Sequence, residues 1–414
     1  MRVRVFAAVA AVAVLAGCTA PTPAPTGTRA PVVTEKPGDG ILRIGTLFPA
    51  TGAAAYLGPA QAAGAALAVA DINAAGGVGG APVEVVARDS GDASTGTLEA
   101  SFAELASSGA DVVIGPSSSL LALRAIPLAL DAEIPLISPA ATFPQLTTAD
   151  DDGYFFRTVP AYGHQGIALG RALSEGGAVD AALLYIDDEF GRALAPALAE
   201  GLEQHGSTLA LSQGIPPGTA DLSIVIGKLT DAAPDVVVIG STYASVDETK
   251  ALISAVIAAG FGGHSLWLTT QNTGDYSQAL PNGTLTDVNG IIEGYQPDDG
   301  LIARLKTVDA SLTTFRFAAE AYDAVVLAAL AAVQGGDAGS AIAANLADVS
   351  VGGLKCGSFA ECLAPLRAGE DIDYDGMSGP LNFSPEGDIS PAYYGLYTYD
   401  GENRFVFARG VLAG

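Results

Sequence analysis

Residues 98–119 read LEASFAELASSGADVVIGPSSS, and this stretch decides the fold. Leu98 to Ser108 carries a helical pattern that Gly109 stops, and Val112 to Gly115 is a short run, apolar up to its closing glycine. A strand of that kind is buried on both faces, which is the habit of a parallel sheet covered by helices. Directly after it stand Pro116, Ser117, Ser118 and Ser119, which are small and polar.

The same alternation extends outward in both directions. Further strand candidates are Leu42 to Leu47, Val83 to Arg88, Pro135 to Ile137, Ala181 to Ile186, Val236 to Ile239, Leu266 to Leu268 and Gly290 to Ile292, with Pro59 to Ala75 as a helix closed by Gly76 and Gly77. Strands alternating with helices give an α/β chain with doubly wound parallel sheets. The segments after the strands share one character: Pro49-Ala50-Thr51-Gly52, Ser138-Pro139-Ala140-Ala141-Thr142, Asp187-Asp188-Glu189-Phe190, Ser241-Thr242-Tyr243 and Thr269-Thr270-Gln271-Asn272. In open α/β sheets, ligands sit beyond the carboxyl ends of the strands, where helix starts offer free N–H groups. Hydroxyls and a few rings at that edge suit a small polar ligand, although any single Ser, Thr or Asp there also serves as a helix cap.

Composition removes several alternatives. With 45 acidic against 19 basic residues and a formal charge of −26, the chain repels phosphate backbones, which excludes nucleic acid as a partner. A hydrophobic content of 49% against 15% charged residues belongs to a folded chain, and 414 residues imply two domains or lobes. Three His and three Cys leave little for a metal centre or for His-based catalysis.

The first 17 residues read as an address. Arg2 and Arg4 precede an apolar run from Val5 to Ala16, too short to span a bilayer, and the run ends Leu15-Ala16-Gly17-Cys18. This resembles the bacterial lipobox, which implies that Cys18 is acylated and becomes the first residue of an exported chain anchored at the outer face of the cytoplasmic membrane. Loss of residues 1–17, with their two arginines, takes the formal charge from −26 to −28. Residues 18–40 are rich in Pro, Thr, Ala and Gly and form a tether.

From Ile41 onward the chain resembles the substrate-binding proteins of branched-chain amino acid ABC transporters, of the Leu/Ile/Val type and the type I periplasmic binding fold. The stretches that carry the resemblance are Leu47-Phe48-Pro49-Ala50-Thr51-Gly52, Asp71-Ile72-Asn73-Ala74-Ala75-Gly76-Gly77, Ile114-Gly115-Pro116, Ser138-Pro139-Ala140-Ala141-Thr142, Ala321-Tyr322-Asp323-Ala324 and Ser378-Gly379-Pro380-Leu381-Asn382-Phe383. The resemblance implies two lobes joined by three crossings, residues 41–160 plus 296–375 and residues 161–295 plus 376–414, with the ligand held between them. It also implies hinge closure, a permease as partner, a monomer, no cofactor and no enzymatic step.

Site residues follow from the same resemblance. Ser119 matches the serine whose hydroxyl meets the ligand carboxylate; Ala140 and Thr142 match positions that supply backbone groups and a hydroxyl, with Ala141 between them. Tyr56, Phe190 and Tyr243 match aromatic cleft positions. The family places an acid after the strand equivalent to Leu266–Leu268 to pair with the ligand ammonium, whereas this chain has Gln271 as the nearest match and its first acid at Asp275. An amide accepts a hydrogen bond from an ammonium without neutralising it. The ligand is therefore a small amino acid reached by Asp275 or another acid, or a less cationic amide, urea-like or keto compound.

Other motifs carry less. Cys356 and Cys362, in an exported chain, are expected to form a disulfide that pins a local turn, worth about 2 kcal/mol. Asp371 to Gly376 resembles half of a calcium loop, but position twelve is Asn382 and Pro380 interrupts it, so it reads as an acidic turn before the third crossing. His164, His205 and His264 sit at helix ends or turns, and Asp187, Asp188 and Glu189 read as capping or solvated groups. A secreted hydrolase built on Ser119 would need a general base that the sequence does not place beside it. A sensory lipoprotein of the same fold is the remaining alternative to transport.

Overall fold

Short, largely buried strands and the helices between them set the architecture, which a computed structural model describes for residues 38–242 and 245–413. The expected lipidation site at Cys18 and the ring at Tyr243 lie outside the described residues. The first sheet contains β1 (Arg43–Phe48), β2 (Glu84–Asp89), β3 (Val112–Ile114), β4 (Leu136–Ser138) and β5 (Phe155–Arg157). All are parallel, in the order β2-β1-β3-β4-β5. Helices α1 (Gly58–Ala74), α2 (Thr97–Ser107) and α3 (Ser119–Ala132) connect them. Side-chain alternation splits β3 between two cores: Val112 and Ile114 pack with α1, while Val113 packs with Leu98, Phe102 and Leu105 of α2.

The chain then enters α4 (Tyr162–Glu175) and a second sheet. Its strands and helices follow in the order β6 (Asp180–Ile186), α5 (Glu189–Gln204), β7 (Thr208–Ile215), α6 (Ser223–Ala232), β8 (Val236–Gly240), α7 (Val246–Ala258), β9 (Leu266–Leu268) and β10 (Asn289–Glu293). It returns to the first lobe through α8 (Asp299–Val308), α9 (Ala318–Gly335), α10 (Gly339–Asn345), β11 (Leu354–Cys356), α11 (Phe359–Arg367), β12 (Ile372–Gly376) and β13 (Gly379–Pro380). Finally β14 (Ala392–Tyr399) and β15 (Phe405–Ala413) complete the second sheet, ordered β15-β14-β10-β9-β8-β6-β7.

The expected two-lobed α/β class is borne out, with one correction to the parallel sheets: β14 runs antiparallel to both β10 and β15, so the second sheet is mixed. Its last two strands are joined by a short turn, Asp400–Arg404, which only antiparallel neighbours permit. β11, β12 and β13 form a separate small sheet. Close approach of α4 and α5 depends on glycine, since a Cβ on Gly170 would lie 2.4 Å from the Gly201 backbone.

The most apolar helix is α9, although it carries Glu320 and Asp323. By length and composition it is apolar enough to cross a membrane, yet 83% of it is buried inside the fold. Its two acids are buried as well and act on the chain passages between the lobes. The Glu320 carbonyl accepts from Thr158 Oγ1 at 2.9 Å after β5, and Glu320 Oε1 accepts from the Tyr295 N–H at 2.6 Å after β10. The Asp323 carboxylate accepts from Tyr374 Oη, the Met377 and Ser378 N–H groups and Ser378 Oγ at 2.5–2.9 Å, around the end of β12. One helix thus holds all three passages.

Candidate functional site

A cavity of about 250 Å³ opens at the carboxyl ends of β3, β4 and β9. Its lining combines Tyr56, the Ser117–Ser119 turn, Ala140, Thr142 and Phe143 from the first lobe's loops with Tyr162, Gln271, Glu293, Arg316 and Phe317. A second cavity of about 290 Å³ adjoins it, sharing Phe143, Tyr162 and Gln271 and adding Asp188, Glu189, Phe190 and Thr242. Two larger cavities, about 520 and 480 Å³, lie elsewhere, around Tyr295 and Tyr393 and around Pro49 and Arg88. Their polar groups are largely committed: Asp298 caps α8, Asp89 takes the Ala50 and Gly91 N–H groups, and Arg88 pairs with Glu104. Volume alone is therefore a poor guide, and the convergence of polar groups points to the smaller cavity.

The local chemistry follows from the turns after β3 and β4. Ser119 opens α3, whose first N–H groups have no partner within the helix. Its Oγ accepts from the Thr142 N–H at 2.9 Å and the Phe143 N–H at 3.2 Å, which locks the two strand-end loops together and leaves the hydroxyl proton for a ligand. Ser138 Oγ accepts from the Ala141 N–H at 3.0 Å and donates to the Pro116 carbonyl at 2.7 Å, tightening the same corner. A carboxylate can be held there by hydroxyl and N–H donors without a cation.

Tyr56, Ser119, Ala140, Thr142 and Gln271 come together in the first cavity, and Phe190 stands in the second. Ala141 does not line either: it is fully buried, and its carbonyl accepts from Arg157. Asp188 caps α5 by accepting from the Gly191 N–H at 2.9 Å, and Asp187 pairs with Arg192 at 2.9 Å. Among the described residues no three His, Cys, Asp or Glu side chains gather to hold a metal ion. Cys356 and Cys362 are joined as a disulfide between β11 and α11, away from both cavities.

Five residues in the cleft were missed in the sequence. Phe143 and Tyr162 form an aromatic row with Phe190, with ring centroids 6.0 and 4.9 Å apart, running between the two cavities. Glu293, at the end of β10, and Arg316, before α9, bring one acid and one base to the same wall. Burial pushes the Glu293 carboxyl up, while the Arg316 charge and the Thr270 hydroxyl pull it down. Phe317, beside Arg316, holds a left-handed backbone with φ of 59°, an uncommon conformation for an aromatic residue. An acid ending an apolar strand and a base between two phenylalanines were the available signals.

The comparisons with known proteins agree with this geometry. The chain is 30% identical over 206 residues to the "Leucine-, isoleucine-, valine-, threonine-, and alanine-binding protein" of Pseudomonas aeruginosa, covering 49% of this chain and only 54% of that relative. It is 25% identical over 368 residues to the "Leu/Ile/Val-binding protein" of Escherichia coli, covering 86% and 90% of the two chains. Among solved structures, the branched-chain amino acid transporter substrate-binding protein LivJ of Streptococcus pneumoniae, in complex with isoleucine, superposes with a TM-score of 0.61 at 22% identity, covering 90% of this chain and all of that one. The family model described as "Periplasmic binding protein" matches residues 41–388, and the chain belongs to that family.

Proposed function

We propose that the protein captures a small amino acid of the branched-chain type, or a related metabolite, in the cleft between its lobes and delivers it to an ABC importer. The observation that carries this reading is the Ser119 corner, where a hydroxyl and the start of α3 face a cavity closed on its other side by rings. The relatives' names agree with it. In this reading the ligand carboxylate meets Ser119 and the α3 N–H groups, and its side chain lies among Phe143, Tyr162 and Phe190. No bond is made or broken, because the work is selection followed by closure.

Residues 41–160 plus 296–375 act as one lobe and residues 161–295 plus 376–414 as the other, closing about the passages held by α9. Acylated Cys18 would keep the protein, as a monomer, at the outer face of the membrane beside its permease. A thermal-shift screen of the chain from residue 18 onward, without acylation, tests the reading against amino acids, amides and keto acids. Specific binding raises the melting temperature, and no response to any of them would overturn it.

A further inference from the structure

We propose that Glu293 selects for a cationic nitrogen in the cleft, so that the site takes zwitterionic α-amino acids and rejects carboxylates that lack an ammonium. The inference rests on the amino-acid reading above and names the residue that enforces it. Glu293 is only 7% exposed, yet it lines the cavity beside Ser119, Thr142 and Gln271. Its Oε2 is buried and has no hydrogen-bond partner among the described residues, a costly arrangement for a carboxylate unless something else arrives.

The ends of two neighbouring strands explain why the acid is in place. β10 pairs with β9 as Asn289 with Trp267 and Gly290 with Leu268, and the chain after Leu268 turns at once, the Asn272 and Thr273 N–H groups both donating to the Thr269 carbonyl. The amide in that turn at 271 and the acid ending β10 at 293 line the same cavity. Thr270 anchors the acid's backbone: its Oγ1 accepts from the Glu293 N–H at 3.2 Å, and its hydroxyl pulls the carboxyl pKa downward. Gln165 Nε2 donates to the same Thr270 oxygen. The charge is thus held by the strand and its neighbour rather than by a loose side chain.

The other charged and titratable groups near Glu293 are Arg316, Tyr394 and Tyr397. Arg316 favours the ionised carboxylate, but burial outweighs it and the carboxyl remains displaced upward. A site presenting one fixed anion and one fixed cation is matched by a ligand that carries both charges and is neutral overall. A bare carboxylate would bring a second anion to Glu293 with nothing to offset it.

Calorimetry with L-leucine, L-isoleucine, L-valine and the keto acid 4-methyl-2-oxopentanoate tests this on the native chain and on Glu293→Gln. The native chain is expected to bind the best amino acid at least about a hundredfold more tightly than the keto acid. Glu293→Gln, which preserves shape, should weaken the amino acid by about thirtyfold or more while leaving the keto acid unchanged or tighter. Adding Gln271→Glu to Glu293→Gln should recover part of the loss. Undiminished amino-acid binding by Glu293→Gln would overturn the assignment and leave the amino-acid reading standing. A native chain that binds the keto acid as well as the amino acids would also overturn it, without reliance on any variant. A native chain that binds none of the three amino acids would instead overturn the branched-chain reading, and this inference with it.

Discussion

Arg157 and Asp388 meet in a two-pronged buried ion pair, Nε to Oδ1 at 2.6 Å and Nη2 to Oδ2 at 2.8 Å. The remaining nitrogen, Nη1, donates to the carbonyls of Phe143 at 2.9 Å and Ala141 at 3.3 Å. Thr147 Oγ1 donates to Asp388 Oδ2 at 2.7 Å. The pair therefore joins the end of β5, the chain between β13 and β14, and the backbone of the loop that carries Thr142. Fold and site share one group.

Removing one member of such a pair leaves the other buried and uncompensated. Asp388→Ala is expected to destabilise the protein by about 3–5 kcal/mol, read from chemical denaturation followed by circular dichroism. Because the Ala141–Phe143 backbone then loses its anchor, ligand affinity should fall as well. Unchanged stability would show that the pair contributes nothing net to the fold.

Ser119 has a double role, and its variants should separate from those of Thr142. Ser119→Ala strips the acceptor from the Thr142 and Phe143 N–H groups and removes a donor from the cavity, so both stability and affinity should fall, each by about 1–3 kcal/mol. Thr142→Ala should cost affinity on the same scale with a smaller change in melting temperature, since its N–H bond to Ser119 survives. Calorimetry and thermal melts on the two variants decide it. Unchanged affinity in both would remove the Ser119 corner from the site.

Most central strands were legible because a parallel strand buried on both faces is a short apolar run, and Val112, Leu136, Val237 and Leu266 all lie in such runs. β7 escaped notice because it is an edge strand whose burial alternates, and β14 and β15 because their aromatic, polar-flecked pattern belongs to antiparallel strands rather than to a continuous apolar run. The Ser119, Ala140, Thr142 and Gln271 positions were legible because each stands directly after a strand. Glu293 was not, since it meets Gln271 at the cavity only through the pairing of β9 with β10, across 21 residues of intervening chain, and an acid ending a strand reads equally well as a solvated group. Arg316 joins the cleft only through the placement of α9.

The disulfide at Cys356 and Cys362 lies outside both cleft cavities, so its effect should be confined to stability. Replacing both cysteines with alanine is expected to cost about 2 kcal/mol and to leave ligand affinity unchanged. A melt and a binding titration on the double variant check both halves. Loss of affinity at unchanged stability would couple that corner to the cleft.

Glu320 makes the grip of α9 on the chain passages sensitive to pH. Burial pushes its carboxyl up to about 8, with the Tyr295 N–H pulling downward and Asp323 adding to the rise. A folded-state value above the unfolded value near 4.5 means that the folded protein binds the extra proton between those limits. The stabilising contribution is therefore complete below about pH 4.5, declines as pH rises and is lost by about pH 8, an effect on the order of 5 kcal/mol for a group this buried. Glu320→Gln keeps an acceptor for the Tyr295 N–H but cannot ionise, so its stability relative to the native chain should climb between pH 5 and 8 and then level off. Denaturation midpoints for both proteins across that range supply the measurement, and a constant difference would exclude Glu320 as the titrating group. The space around it is tight: Gly294 has φ of 92°, and a Cβ there would lie 2.6 Å from Glu320 Oε1. Gly294→Ala should therefore destabilise the native chain through backbone strain as well as this clash, and Glu320→Ala should relieve only the part that comes from the clash.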